Sequence, residues 1–245
     1  MAKLEKPDKN KILSPTPREE DGAVTSSEAD ISRFVDAVRA TPRPGTGRGR
    51  LIFAMDATMS RQPSWDRALA IQSEMFSATA AIGGLDVQLI YFRGFGECRA
   101  SKWVGDGNAL ARLMTKVSCR GGHTQIGRVL AHARAEADIK PVSALVFVGD
   151  AMEEEIDHLA QLAGELGLNK IPVFMFHEGH DRVAETAFRE IARLSRGAYC
   201  RFSADSADAL RRLLTAVAVY AAGGQKALAA RGHDSAAQGL LEQLR

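Results

Sequence analysis

The sequence predicts an α/β fold: a doubly wound, mainly parallel six-stranded sheet with one antiparallel edge strand, flanked by helices. Three observations carry this. Short, largely apolar runs recur at 51–55, 87–92, 142–148, 171–176 and 198–202, the first of them wholly apolar, as strands covered on both faces require. The segments between them place apolar residues at helical spacing. The two patterns alternate along the chain, which is the signature of βαβ units.

Taken in order, residues 27–41 read as a helix with Ile31, Phe34, Val35 and Val38 on one face and Ser27 or Asp30 as cap. A Pro- and Gly-punctuated linker leads to the first apolar run. Residues 63–81 form the next helix, with Trp65, Leu69, Met75 and Phe76 inward. The run at 87–92 is followed by a Gly-flanked edge strand at 97–104 and a helix at 107–117. Gly121-Gly122 breaks the chain before a strongly amphipathic helix at 125–138, its stripe formed by Ile126, Val129, Leu130, Ala133 and Ala137. Helices at 153–166, 182–195 and 204–221 complete the alternation, and Gly223-Gly224 ends it.

This organises the chain as a tail at 1–26, too poor in large apolar groups to offset its ordering entropy, a helix and linker at 27–48, the domain at 49–222, and a tail at 223–245. A net charge of +2 is too small to argue by itself for nucleic acid or a membrane surface. The arginines at 43, 48, 50 and within 182–212 lack interleaved aromatics and read as solvated faces. Three scattered cysteines without a CxxC pair suit a reducing compartment. With no apolar segment behind the first lysines, the expected location is the cytoplasm.

In open α/β sheets, ligands sit beyond the carboxyl ends of the strands, where the winding reverses. Asp56-Ala57-Thr58-Met59-Ser60 follows the first apolar run, supplying a carboxylate and two hydroxyls at alternate positions. Asp150 follows Gly149 at the end of the run at 142–148, and Thr124 sits in a Gly-rich turn before a helix. These side chains all offer oxygen, the donor that hard divalent cations prefer.

Asp56-x-Thr58-x-Ser60, then Thr124, then Asp150, on alternating β/α units, resembles the von Willebrand factor type A (VWA) domain of the bacterial type. In that family the five positions form a metal ion-dependent adhesion site (MIDAS), written DxSxS…T…D. The resemblance spans 49–222. It implies that Thr58 and Ser60 bind Mg²⁺ or Mn²⁺ through their hydroxyls, and that Thr124 does so directly or through water. It implies that Asp56 and Asp150 mainly hold the ion's waters. A cation only partly neutralised by direct contacts stays attractive to an outside carboxylate. The implied function is therefore a protein-binding module that captures an Asp or Glu of a partner, with no enzymatic turnover and neither nucleic acid nor membrane involved. Thr58 stands where Ser is more frequent, keeping the hydroxyl but narrowing its rotamers. Met59 stands where Gly is common.

Other readings are open to the same residues. A Mg²⁺-dependent phosphohydrolase of the DxD type needs a second Asp as general acid, a role that Thr58 cannot fill. A scaffold with an empty site is the third. No GxxxxGK[ST] is present, and the GTGRGR stretch precedes a strand where a dinucleotide fingerprint must follow one. Glu153, Glu154 and Glu155 read as the first turn of a helix, favoured there by its dipole. His123 reads as a surface or supporting group. His177, Glu178 and His180 read as a partner-contacting loop on the same rim, and Trp103 as an exposed contact.

Overall fold

The computed structural model describes residues 27–40, 48–202 and 207–231. Six strands, β1 (Gly49–Asp56), β2 (Leu85–Arg93), β3 (Glu97–Ala100), β4 (Ala144–Gly149), β5 (Val173–Glu178) and β6 (Ala198–Phe202), form one sheet in the order β3-β2-β1-β4-β5-β6. Only the β2–β3 pair is antiparallel. Seven α-helices accompany them among the described residues: α1 (Glu28–Ala40), α2 (Gln62–Thr79), α3 (Gly107–Met114), α4 (Ile126–Ile139), α5 (Ile156–Leu168), α6 (Arg182–Leu194) and α7 (Ala207–Arg231).

Period-two alternation sorts the central strands between two cores. Leu51, Phe53 and Met55 of β1 pack with α1, α2, α3 and α7, while Ile52 and Ala54 pack with α4, α5 and α6. With helices on both faces, every residue of β1, β4 and β5 is buried. This is why those strands read as continuous apolar runs. The edge strand β3 is exposed at Arg99 and Ala100, and Val104 adds only an isolated bridge to Val87.

Helix α1 belongs to the first core. Its Phe34 ring meets Phe174 and Phe176 edge-on, with centroids 5.9 and 5.1 Å apart. Truncating such a buried phenyl costs about 3–5 kcal/mol. At the other end of the chain, the helix expected to end at the glycine pair does break there, and a second helical stretch continues beyond the kink to Arg231. Gly224, at φ 68° and ψ −165°, takes the backbone out of the helical conformation between the two stretches. The expected tail at 1–26 lies outside the described residues, as does the part of the expected tail at 223–245 beyond Arg231.

Two further expectations are corrected on the rim opposite the strand ends. Arg50 is buried, paired with Glu136 at 3.0 Å, and its guanidinium lies 3.9 Å from the centre of the Trp103 ring. The Trp103 indole N–H donates to the same Glu136 carboxylate at 2.9 Å. Trp103 is half-buried, not exposed, and the two side chains form a cation–π and ion-pair cluster that closes the lower edge of the sheet.

Candidate metal centre

The sheet is wound outward from the β1–β4 junction. The chain leaves β1 towards α2 on one face and leaves β4 towards α5 on the other, opening a crevice between the two strand ends. Asp56 is the last residue of β1 and is only 2% exposed. Its Oδ1 accepts the Thr58 backbone N–H at 2.7 Å, which turns the chain sharply. Thr58 is extended and precedes a 3₁₀ turn at Met59–Arg61. Within this short loop the Thr58 and Ser60 hydroxyls lie 3.3 Å apart. Ser60 Oγ then donates to Asp150 Oδ2 at 2.8 Å.

Four of the five sequence-derived residues thus form one hydrogen-bonded run across the crevice. Thr124 is tied instead to the loop that follows Asp150. Its N–H donates to Glu153 Oε2 at 3.0 Å, and its Oγ1 accepts the Glu153 N–H, also at 3.0 Å. The chain before it is held by Arg120 N–H donating to the Ala57 carbonyl at 2.9 Å and His123 N–H to the Gly94 carbonyl at 3.1 Å. Gly122 has to be glycine here, since a Cβ would come within 2.2 Å of the Gly94 backbone.

The acidic run after Asp150 corrects the sequence reading, because α5 begins only at Ile156. Glu153 and Glu154 lie in the preceding loop and reach across to the start of α4. Glu154 accepts the Ile126 N–H and, at 2.9 Å, the Gly127 N–H, groups that a helix N-terminus leaves unsatisfied. Glu153 also accepts from His123 Nδ1 at 2.9 Å when that nitrogen is protonated. The loop after β4 is therefore spliced to the loop that carries Thr124. His177 and Glu178 are corrected too: both are buried residues of β5, with His177 Nδ1 2.9 Å from the Tyr199 hydroxyl. His180 is exposed in the loop beyond.

Reasoning from sequence missed Arg61, which carried no signal within a polar loop. It is 4% exposed, and one guanidinium nitrogen lies 2.7 Å from Glu178 Oε1. Its Nε lies 3.6 Å from Asp150 Oδ2. Burial pushes the Asp56 carboxyl up to about 7, opposed by the Thr58 N–H and reinforced by the Asp150 charge. A site that resists holding two bare carboxylates together is one that a cation would relieve. Among the described residues no cluster of three or more His, Cys, Asp and Glu is arranged for a metal. A cation between Asp56 and Asp150 would draw on hydroxyl donors, as a hard ion does. Two large apolar side chains stand beside the crevice: Met59 is 67% exposed, and Phe95, 86% exposed, packs against the His123 ring.

The fold is that of the VWA domain. A von Willebrand factor type A structure from Catenulispora acidiphila aligns with a TM-score of 0.56 at 17% identity, covering 71% of this chain and 43% of that one. The vWF domain of the type V pilus tip protein Mfa5 from Porphyromonas gingivalis aligns at 0.55 and 9% identity, covering 72% and 97%. Proximal thread matrix protein 1 from the mussel byssus, in a structure with a zinc-occupied MIDAS motif, aligns at 0.54 and 14% identity, covering 70% and 46%. This chain spans less than half of the first and third of these. No family model and no curated protein matches the sequence.

Proposed function

We propose that this chain is a protein-binding module that holds Mg²⁺ or Mn²⁺ between the ends of β1 and β4 and captures an Asp or Glu carboxylate of a partner protein. Thr58, Ser60 and Thr124 offer hydroxyl donors, and Asp56 and Asp150 offer carboxylates for the ion or its waters. The observation that carries this reading is the run Asp56–Thr58–Ser60–Asp150, which gathers hard oxygen donors from two strand ends at the winding reversal. The zinc-occupied MIDAS of the mussel protein supports it by analogy of fold.

Binding is favoured over turnover. No second acid at position 58 can protonate a leaving group, and the exposed Met59 and Phe95 beside the crevice suit contact with a protein surface. Among the described residues no helix is long and apolar enough to cross a membrane. Three scattered cysteines without a CxxC pair suit a reducing compartment, and we place the chain in the cytoplasm on that basis.

The test is calorimetric titration of the purified chain with Mn²⁺ and with Mg²⁺, followed by capture from lysate in Mg²⁺ against EDTA. Wild type is expected to bind one ion and to retain partners only with metal. Asp150→Ala, whose side chain lies outside both cores, is expected to keep its fold and lose both properties. Metal-independent capture by wild type, or undiminished capture by Asp150→Ala, would overturn the reading. Hydrolysis of simple phosphoesters that vanishes in Asp56→Ala would point to an enzyme instead.

A further inference from the structure

Arg61 is placed where a metal-binding loop has most reason to avoid a positive charge. It directly follows Ser60, and its guanidinium is buried between two carboxylates. One is Glu178 at the end of β5, itself buried, which also accepts the Ser64 hydroxyl. The other is Asp150, which the proposed donor set needs. The two contacts are ion pairs of unequal length, 2.7 Å to Glu178 and 3.6 Å to Asp150, while the guanidinium's hydrogen bonds go to the Ser60 carbonyl and the Ser64 hydroxyl, both long at 3.4 Å. Arg61 Nε and one terminal nitrogen have no hydrogen-bond partner although both are buried. A guanidinium so poorly satisfied is held there mainly by charge.

The local charges fit that description. When ionised, Asp56, Asp150 and Glu178 carry three negative charges against the single positive charge of Arg61. A divalent cation brings the group to neutrality. Removing Arg61 leaves it one charge more negative, and neutralising Glu178 leaves it one charge more positive.

We propose that Arg61 is the built-in counter-ion of this site, holding Asp150 in place in the metal-free state and weakening metal affinity by its charge, with Glu178 as the fixed anchor that draws the guanidinium back when the ion enters. This deepens, and rests on, the metal-binding reading above. The site then fills only above a threshold of free divalent ion, which Arg61 and Glu178 set in opposite directions.

The experiment measures Mn²⁺ affinity and thermal midpoint of the full chain for wild type, Arg61→Gln, Arg61→Lys and Glu178→Gln. Arg61→Gln is expected to bind Mn²⁺ at least fivefold tighter, Glu178→Gln at least threefold weaker, and Arg61→Lys within twofold of wild type. In EDTA, Arg61→Gln is expected to melt below wild type, and saturating Mn²⁺ is expected to close most of that gap. A purely structural brace would move both variants in the same direction and leave the melting gap unchanged by Mn²⁺; either result overturns the proposal. If Arg61→Gln does not fold, Glu178→Gln and Arg61→Lys decide, and Glu178→Gln binding as tightly as wild type or more so overturns it. Absence of saturable Mn²⁺ binding by wild type removes the metal reading, and this inference with it. Normal wild-type binding with unshifted variants removes this inference alone.

Discussion

Ser60 Oγ donates to Asp150 Oδ2 at 2.8 Å, joining the loop after β1 to the loop after β4 across 90 residues of chain. The bond does two jobs. It sets the Asp150 rotamer, and it brings the Ser60 oxygen to the crevice that the Thr58 hydroxyl borders. The loops that leave two paired strands towards opposite faces of the sheet are thereby tied by a side-chain contact.

Ser60→Ala should therefore lose more than a hydroxyl donor. We expect Mn²⁺ binding about tenfold weaker, equivalent to about 1.4 kcal/mol, with the thermal midpoint in EDTA nearly unchanged because the bond is exposed. Ser60→Thr keeps the hydroxyl and should recover most of the affinity. Titration calorimetry on the three proteins checks this, and wild-type affinity in Ser60→Ala would remove Ser60 from the proposed donor set.

Glu153 and Glu154 are adjacent but should separate by phenotype. Glu154 satisfies two N–H groups at the start of α4, so Glu154→Ala is expected to destabilise the fold by about 1–3 kcal/mol in urea unfolding. Glu153 instead holds both the N–H and the hydroxyl of Thr124. Glu153→Ala is expected to cost less than about 1 kcal/mol but to weaken Mn²⁺ several-fold by loosening that loop. Equal stability losses with equal metal affinities would contradict this division.

These residues mark where sequence reading succeeds and where it stops. Asp56 and Asp150 were legible because each stands at the end of a largely apolar run, so a carboxylate there has to sit at a strand end. Trp65 was legible as core by helical spacing, and it is buried with its indole N–H on the Met114 carbonyl. Glu153 and Glu154 were misread because acidic residues before an apolar periodicity look the same in a first helical turn as in a loop capping another helix. His177 and Glu178 extend β5 past its apolar run, and only tertiary contacts with Tyr199 and Arg61 keep them buried. A buried Arg61 has no local signature at all, since its two carboxylate partners come from distant strand ends.

The buried histidine gives a pH dependence of definite sign. Burial, with the Arg201 charge adding, pushes His177 down to about 4, against about 6.5 in an unfolded chain. Between those values the unfolded state holds the extra proton, so His177 contributes stability that is complete above about 6.5 and is lost as the pH falls towards 4. Asp56, raised to about 7, acts in the other direction, binding its proton in the folded state and favouring acid. Comparing His177→Gln with wild type cancels the Asp56 contribution. Urea midpoints from pH 7.5 to 4 are expected to show the wild type losing on the order of 2 kcal/mol more than the variant. Parallel curves would show that His177 does not titrate in this window.

The apolar rim offers a separation of metal from partner. Phe95 is exposed at the turn between β2 and β3 and leans on His123, next to Thr124; Met59 lies between Thr58 and Ser60, the proposed donors. Neither contributes to the two cores, so Phe95→Ser and Met59→Ser should leave stability and Mn²⁺ affinity at wild-type values. A carboxylate–metal contact alone is a small interface, and binding energy at protein interfaces concentrates in large side chains that exclude water around a polar centre. Phe95→Ser is therefore expected to weaken metal-dependent capture by tenfold or more, with Met59→Ser showing a smaller loss. Capture that fails in Asp150→Ala but survives unchanged in both serine variants would leave the metal in place and move the partner's footprint to another side of the crevice, towards His180 and the start of α6.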